Sequence, residues 1–213
     1  VAFQDCQRNG NAMFELRSSA AFQNVRRVAE LRPDKHIIQT ESCQELSGRS
    51  IEAWLGEWKL GERYAMNIIN DLNSGTEGWI DWNLYLNEHG GPNHVGNNCV
   101  APIICDTKND KVLYQPPFWF TGHFSKYIRP GARKVLCSTS RDVLEVVAFL
   151  NTDGTLAVVI LNQSKRQQKF WLKLPGGVAV RTEVTPQSIS TFLLDDVECT
   201  ADDGPGKAPA ARL

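Results

Sequence analysis

Lys35-His36-Ile37-Ile38-Gln39-Thr40-Glu41-Ser42-Cys43 is a short apolar run with β-branched residues that passes into a carboxylate and two small polar residues. Such a run reads as a buried strand ending at Glu41, where a core strand hands over to a loop. In a barrel of alternating strands and helices the C-terminal end of each strand faces the active site, so a Glu there reads as catalytic. The plain alternative is a strand-end Glu facing solvent. Gly78-Trp79-Ile80-Asp81-Trp82-Asn83-Leu84 has the same form and follows after one long amphipathic segment. The repetition favours the catalytic reading.

Working outward, Val1 to Cys6 reads as a strand and Gln7 to Asn11 as a loop. Ala12 to Leu31 carries Met13, Leu16, Ala20, Val25, Val28 and Leu31 near helical spacing, and Pro33 closes it. Ser50 reads as the N-cap of a second helix with the stripe Ile51, Leu55, Trp58, Ala65, Ile69 and Leu72, which Asn73-Ser74-Gly75 ends. A strand over Trp79–Asn83 follows. Strand, helix, strand, helix, strand is the rhythm of a parallel sheet, and three strands are too few to close a barrel of eight, which takes ~250 residues. Leu84 to Cys99 is rich in Gly, Asn and His and reads as a functional loop. Ile103–Asp106 and Lys111–Gln115 read as a hairpin, and Phe118–Ile128 as a helix covering the last barrel strand.

After Pro130-Gly131 the pattern changes. Val135–Thr139, Leu144–Leu150, Leu156–Asn162, Gln168–Leu174, Val178–Val184 and Ile189–Leu194 are six short strand-like runs without helices between them, as in a β-sandwich. Asp195 to Leu213 has no apolar pattern and is expected to be disordered. The fold class is therefore α/β plus all-β. The expected domains are 1–129, a C-terminal portion of a barrel, 130–195, a β-sandwich, and a tail over 196–213.

The net charge of −1 gives no long-range field to attract nucleic acid or an anionic membrane. No apolar run approaches the ~20 residues of a transmembrane helix. Val1-Ala2-Phe3 opens like a core strand, so the chain reads as cut short and the lack of a signal peptide leaves the compartment open. The six cysteines lack the density of a disulfide scaffold, and no Cys-x-x-Cys or His-x-x-x-His spacing points to zinc, so neither metal nor cofactor is expected. Asn162-Gln163-Ser164 is a sequon that matters only in a secretory setting.

Thr40-Glu41-Ser42-Cys43, Gly78 to Asn83, Gly90-Gly91-Pro92-Asn93 and Gly122-His123-Phe124-Ser125-Lys126 stand in the order and at the separations of one known family. From roughly Val1 to Leu194 the chain resembles the C-terminal half of glycoside hydrolase family 30 members of the glucosylceramidase type. The resemblance implies the last part of a (β/α)8 TIM barrel, strands six to eight, followed by a β-sandwich. It also implies retaining hydrolysis, which needs two carboxyl groups about 5–5.5 Å apart, one a nucleophile and one an acid then base. Glu41 matches the nucleophile. The family's acid/base Glu follows an Asn at the end of the fourth strand, upstream of Val1. Asn87-Glu88 imitates that dipeptide but lies after the last strand and reads as a surface pair.

Trp82 matches an active-site Trp whose flat face packs on the sugar, and Asn97 and Cys43 match residues lining the glucose pocket. For Cys43 the plain alternative is a small buried thiol. Asp81 is expected to orient its neighbours by hydrogen bonds. Trp54, Trp58 and Trp79 read as core aromatics, His94 as a solvated loop residue, and Lys35 and Arg129 as surface charges. One departure stands out: where the family carries a His and a Tyr near the nucleophile, this chain offers Gln4 and Cys6. The implied substrate is glucosylceramide or another β-glucoside, the implied partner a lipid-presenting activator protein, and the implied location lysosomal or secreted. The alternatives are a relative cleaving β-1,6-glucan or xylan, and an inactive fragment whose sandwich binds carbohydrate.

Overall fold

The computed structural model describes residues 2–7 and 19–21 by their backbone, and 22–174 and 177–195 in full. The first part of the expected helix from Ala12, the loop after Gln7, the Pro175-Gly176 turn and the expected tail fall outside these residues. Two compact units divide the chain: Val1–Gly61 with Asn70–Trp119, and Glu62–Ile69 with Phe120–Leu213.

The first unit holds strand β1 (Ala2–Gln7), helix α1 (Ser19–Leu31) and strand β2 (Ile38–Glu45), and then shares helix α2 (Trp58–Asn73) before strand β3 (Gly78–Trp79). The three strands pair side by side and parallel, in chain order, as successive βα units do. The helix expected from Ser50 begins later. Ser50 precedes only a 3-10 turn over Ile51–Ala53 and makes no side-chain cap bond. Gly56 then turns the backbone at φ +73°, its N–H bonded to the Gln115 side chain at 2.9 Å, and Glu57 caps α2 by accepting from Lys59 N at 3.3 Å. A residue at positive φ ends one helical segment and forces a new start. The break also alters the buried stripe. Leu60, Tyr64, Ala65, Ile68 and Ile69 are buried, as is Trp54, whereas Leu55 and Trp58 are exposed, so Trp58 is not the core aromatic expected.

Two further expectations are corrected. β2 does not end at Glu41 but runs to Glu45, because its last residues pair both with β1 and with an antiparallel strand β5 (Cys99–Val100). The strand expected over Trp79–Asn83 is ladder-paired only at Gly78–Trp79. The presumed loop Leu84–Cys99 contains strand β4 (Tyr85–Asn87), parallel to β6 (Ile103–Asp106), which forms the expected hairpin with β7 (Lys111–Tyr114). Cys43, Ile51, Leu86, Cys99, Ala101 and Ile104 make one core cluster here.

Helix α3 (Pro116–Ser125) leads into the second unit, whose six strands are β8 (Arg133–Val135), β9 (Leu144–Leu150), β10 (Leu156–Asn162), β11 (Gln168–Lys173), β12 (Ala179–Val184) and β13 (Ser188–Leu194). The last five follow the expected runs closely, whereas β8 ends at Val135, where the expected run begins. A four-stranded sheet in the order β13-β10-β9-β8 and a separate β11–β12 hairpin form the sandwich. Central β10 is buried at all seven positions, while β11 alternates between half-buried and exposed, as a strand with one wet face does. Phe170 and Phe192 pack edge to face with centroids 6.4 Å apart. Among the described residues no helix is long and apolar enough to cross a membrane.

His123 in this unit makes a 2.9 Å hydrogen bond between Nδ1 and Thr191 Oγ1, and burial holds its imidazole below the usual histidine value. The folded state thus prefers neutral His123, while the unfolded chain binds the proton more readily. Its contribution is present above the ordinary pKa of about 6.5 and is lost as pH falls through it. Melting of the protein carrying this chain should drop between pH 7 and pH 5, and His123→Gln should flatten that part of the profile. An unchanged slope in the variant would refute the assignment.

Candidate active site

Glu41 is half-buried in the middle of β2. The β1–β2 ladder pairs Phe3 with Gln39 and then Gln4 with Glu41, which leaves Thr40 as an extra residue. Such a bulge bends a strand and re-aims the side chains beyond it. Before the bulge β2 alternates, with Ile38 and Thr40 exposed and Gln39 buried. After it Ser42, Cys43 and Gln44 are buried in succession. The fully buried Gln39 side chain spans the irregularity: its Nε2 donates to the Glu41 carbonyl, and its Oε1 accepts from Ile80 N at 3.4 Å.

The segment after β3 stays alongside β2 although the ladder has ended. Ile80 N donates to Gln39 O at 3.0 Å and Trp82 N to Ser42 O at 2.8 Å. These bonds carry Trp82 to the stretch of β2 that holds Glu41. Asp81 Oδ1 accepts from Trp82 N at 2.9 Å. The Trp82 indole is 45% exposed and lines an open recess of about 550 Å³ with Asn83, Pro92, Asn93 and the exposed His94.

Asn93 shapes the loop beyond. Its Oδ1 accepts from Val95 N (2.8 Å) and Asn97 N (3.2 Å), and its Nδ2 donates to Asn97 O (2.7 Å). Held in this way, Asn97 donates its side-chain amide to Glu45 Oε1 at 3.0 Å, so it is tied to the end of β2. Gly90 makes the return possible: its φ is +78°, its carbonyl accepts from Cys99 N, and a Cβ there would lie 2.6 Å from Cys99 O. Gly90→Ala combines left-handed strain with a backbone clash and should cost about 3 kcal/mol. Chemical denaturation checks this, and a loss below about 1 kcal/mol would mean that the loop relaxes freely.

Cys43 and Cys99 are both buried. Cys99 Sγ donates to Asn97 O at 3.5 Å, and a hydrogen bond with Cys43 holds the Cys99 thiol below its usual range, against burial and the charges of Glu45, Asp81 and Glu41. Two thiols and three carboxylates therefore share one neighbourhood. Gln4 and Cys6 lie in backbone register with Glu41 and Cys43.

Asn87-Glu88 is no mere surface pair. Glu88 accepts from Thr107 N and Oγ1 at 3.0 Å, bonds that pull its carboxyl below the usual range, and Asn87 Oδ1 accepts from His89 N and Gly91 N at 3.0 Å. Both side chains staple the loop. The sequence alone gives Glu45 and Gln39 no role, and Asn93 stands there only as the end of the Gly90–Asn93 motif. For Asn93 a signal existed, since Asn in a Gly-rich loop commonly folds back on nearby backbone N–H groups. For a buried strand amide such as Gln39 there is none. Among the described residues no three His, Cys, Asp or Glu side chains converge as a metal site requires.

Residues 8–128 match the glycosyl hydrolase family 30 TIM-barrel domain, and residues 131–192 match the β-sandwich domain of that family. The chain is 38% identical over 163 residues to the lysosomal acid glucosylceramidase of Mus musculus, an alignment covering 76% of this chain and 32% of the relative. Among solved structures, SrfJ from Salmonella typhimurium superposes with a TM-score of 0.75 at 34% identity, over 82% of this chain and 38% of that one. An endo-β1,6-glucanase shares the fold, with a TM-score of 0.71 at 21% identity over 92% of this chain and 41% of its own. The chain thus spans about a third of the length of the curated relatives it matches. Two family domains in sequence, matched across most of the chain, place it: it belongs to glycosyl hydrolase family 30.

Proposed function

We propose that the protein carrying this chain is a retaining β-glucosidase that hydrolyses glucosylceramide, with Glu41 as its nucleophile. In that reaction Glu41 attacks the anomeric carbon while a second carboxyl protonates the departing ceramide oxygen. The same carboxyl then deprotonates a water that releases glucose and restores Glu41. The observation that carries the reading is the position of Glu41, half-buried just past a bulge with the Trp82 segment hydrogen-bonded alongside, in a chain 38% identical to a glucosylceramidase. Trp82 offers an exposed aromatic face for the sugar ring. Asp81 and Asn97 hold the segments around it, and Cys43, two residues beyond Glu41 on β2, is buried in the apolar cluster with Leu86 and Ile104. Gln4 and Cys6, in backbone register with Glu41 and Cys43, would be the altered pocket positions, with residues 1–129 supplying the barrel portion and 130–195 the sandwich.

The acid/base is another group. Glu45 accepts from the Asn97 amide and Asp81 from Trp82 N, so both nearby carboxylates hold structure. The second carboxyl would then come from outside these 213 residues, and the isolated chain would not turn over. A lipid-presenting activator and a lysosomal setting belong to the same reading. Glucosylceramide, β-1,6-glucan and xylan assayed side by side with the whole protein test it. Preferential release of glucose from the lipid is expected, and turnover of a polymer alone would replace it with an endo-glucanase or xylanase. Hydrolysis of an aryl β-glucoside by the isolated chain, lost in Glu41→Gln, would overturn the claim of inactivity.

A further inference from the structure

We infer that Cys43 and Cys99 form a reversible disulfide when the protein meets a peroxide, a redox modification site on the strand of the candidate nucleophile. The β2–β5 ladder pairs Gln44 with Val100 and Glu45 with Cys99 in antiparallel register. Cys43 is therefore two residues along β2 from the partner of Cys99, diagonal to it and on the same face of the ladder, so closing the bond draws the two strands together at this point. Both belong to one apolar cluster with Leu86 and Ile104, at 4% and 2% exposure. Their sulfurs are already in hydrogen-bond contact, and that contact favours the Cys99 thiolate.

The chemistry follows from this asymmetry. The Cys99 thiolate attacks one oxygen of hydrogen peroxide, the O–O bond breaks, and hydroxide leaves, giving a sulfenic acid. The Cys43 sulfur then attacks the Cys99 sulfur, the S–S bond forms as the S–O bond breaks, and the Cys43 proton goes to the departing hydroxide as water. One peroxide is reduced to two waters and two thiols are oxidised. A small oxidant is required because both groups are nearly covered. Cys137, whose thiol burial pushes up, is the internal contrast. The bond would tie the strand of Glu41 to the strand that follows Asn97.

The test uses the whole protein, peroxide, alkylation after denaturation, and peptide mapping. The expected result is a Cys43–Cys99 crosslinked peptide, lighter by two hydrogens, with both positions lost to alkylation together and recovered with dithiothreitol. Cys99→Ser should leave Cys43 alkylatable, and Cys137 should remain alkylatable throughout. The inference is overturned if both thiols stay alkylatable or oxidise separately to sulfinic acids. It is also overturned if Cys43 crosslinks instead to Cys6, its neighbour in the β1–β2 register. The wild-type map decides even where the variant fails to fold, and none of these readouts depends on glycosidase activity.

Discussion

Glu41→Gln in the whole protein should lower kcat on a β-glucoside by roughly 10⁴- to 10⁶-fold, as removal of an attacking nucleophile does in other covalent enzymes. That is about 5.5–8 kcal/mol of transition-state stabilisation. The amide keeps the shape of the carboxylate, so melting should change little, and the loss would then belong to chemistry. Glu41→Gly with added azide sharpens the test. An external anion entering from the nucleophile's face yields a glucosyl azide of inverted configuration, which a general base at this position would not produce. Residual activity within about tenfold of wild type would assign the nucleophile elsewhere, since removal of an attacking nucleophile costs several orders of magnitude.

The parts of this site that were legible in the sequence are those set by local pattern. The run through Ile37 and Ile38 marks a strand because β-branched residues suit a buried pleat. The six runs after Pro130 mark a sandwich because turn residues divide them at short intervals. The missed features depend on partners distant in the chain. Thr40 becomes a bulge only because β1 skips it, and β2 reaches Glu45 only because Cys99 and Val100 return to pair with it. Nothing in Glu45 or Asn97 alone announces their 3.0 Å bond across 52 residues of separation. The late start of α2 hangs on one glycine whose positive φ is answered by Gln115. An apolar stripe that continued through Leu55 and Trp58 concealed that break.

Asn162→Ala should be among the most destabilising single changes in the second unit. The side chain has no exposure at the end of β10. Its Nδ2 donates to Arg166 O at 2.9 Å and Thr185 O at 2.7 Å, and its Oδ1 accepts from Ser164 N at 3.0 Å and Ser164 Oγ at 2.7 Å. One amide thus closes the β10–β11 connection and pins the end of β12 to it. Truncation leaves several buried polar groups unpaired at about 1–3 kcal/mol each, less whatever water recovers, so a net loss of about 3–4 kcal/mol is expected. Against a total stability of 5–15 kcal/mol this corresponds to a fall in Tm of roughly 10 °C. Asn162→Asp separates the two halves of the network. It keeps the acceptor toward Ser164 but faces two carbonyls with a buried negative charge, so it should be at least as damaging at pH 7 and recover as acid protonates it. Ser164→Ala, which removes one hydroxyl, should cost about 1 kcal/mol. The same geometry bears on the sequon: a glycan on Nδ2 would take the nitrogen that makes both donated bonds, so folding of this connection and glycosylation at Asn162 oppose each other. A folded protein quantitatively glycosylated at Asn162, or an Asn162→Ala variant as stable as wild type, would refute this account.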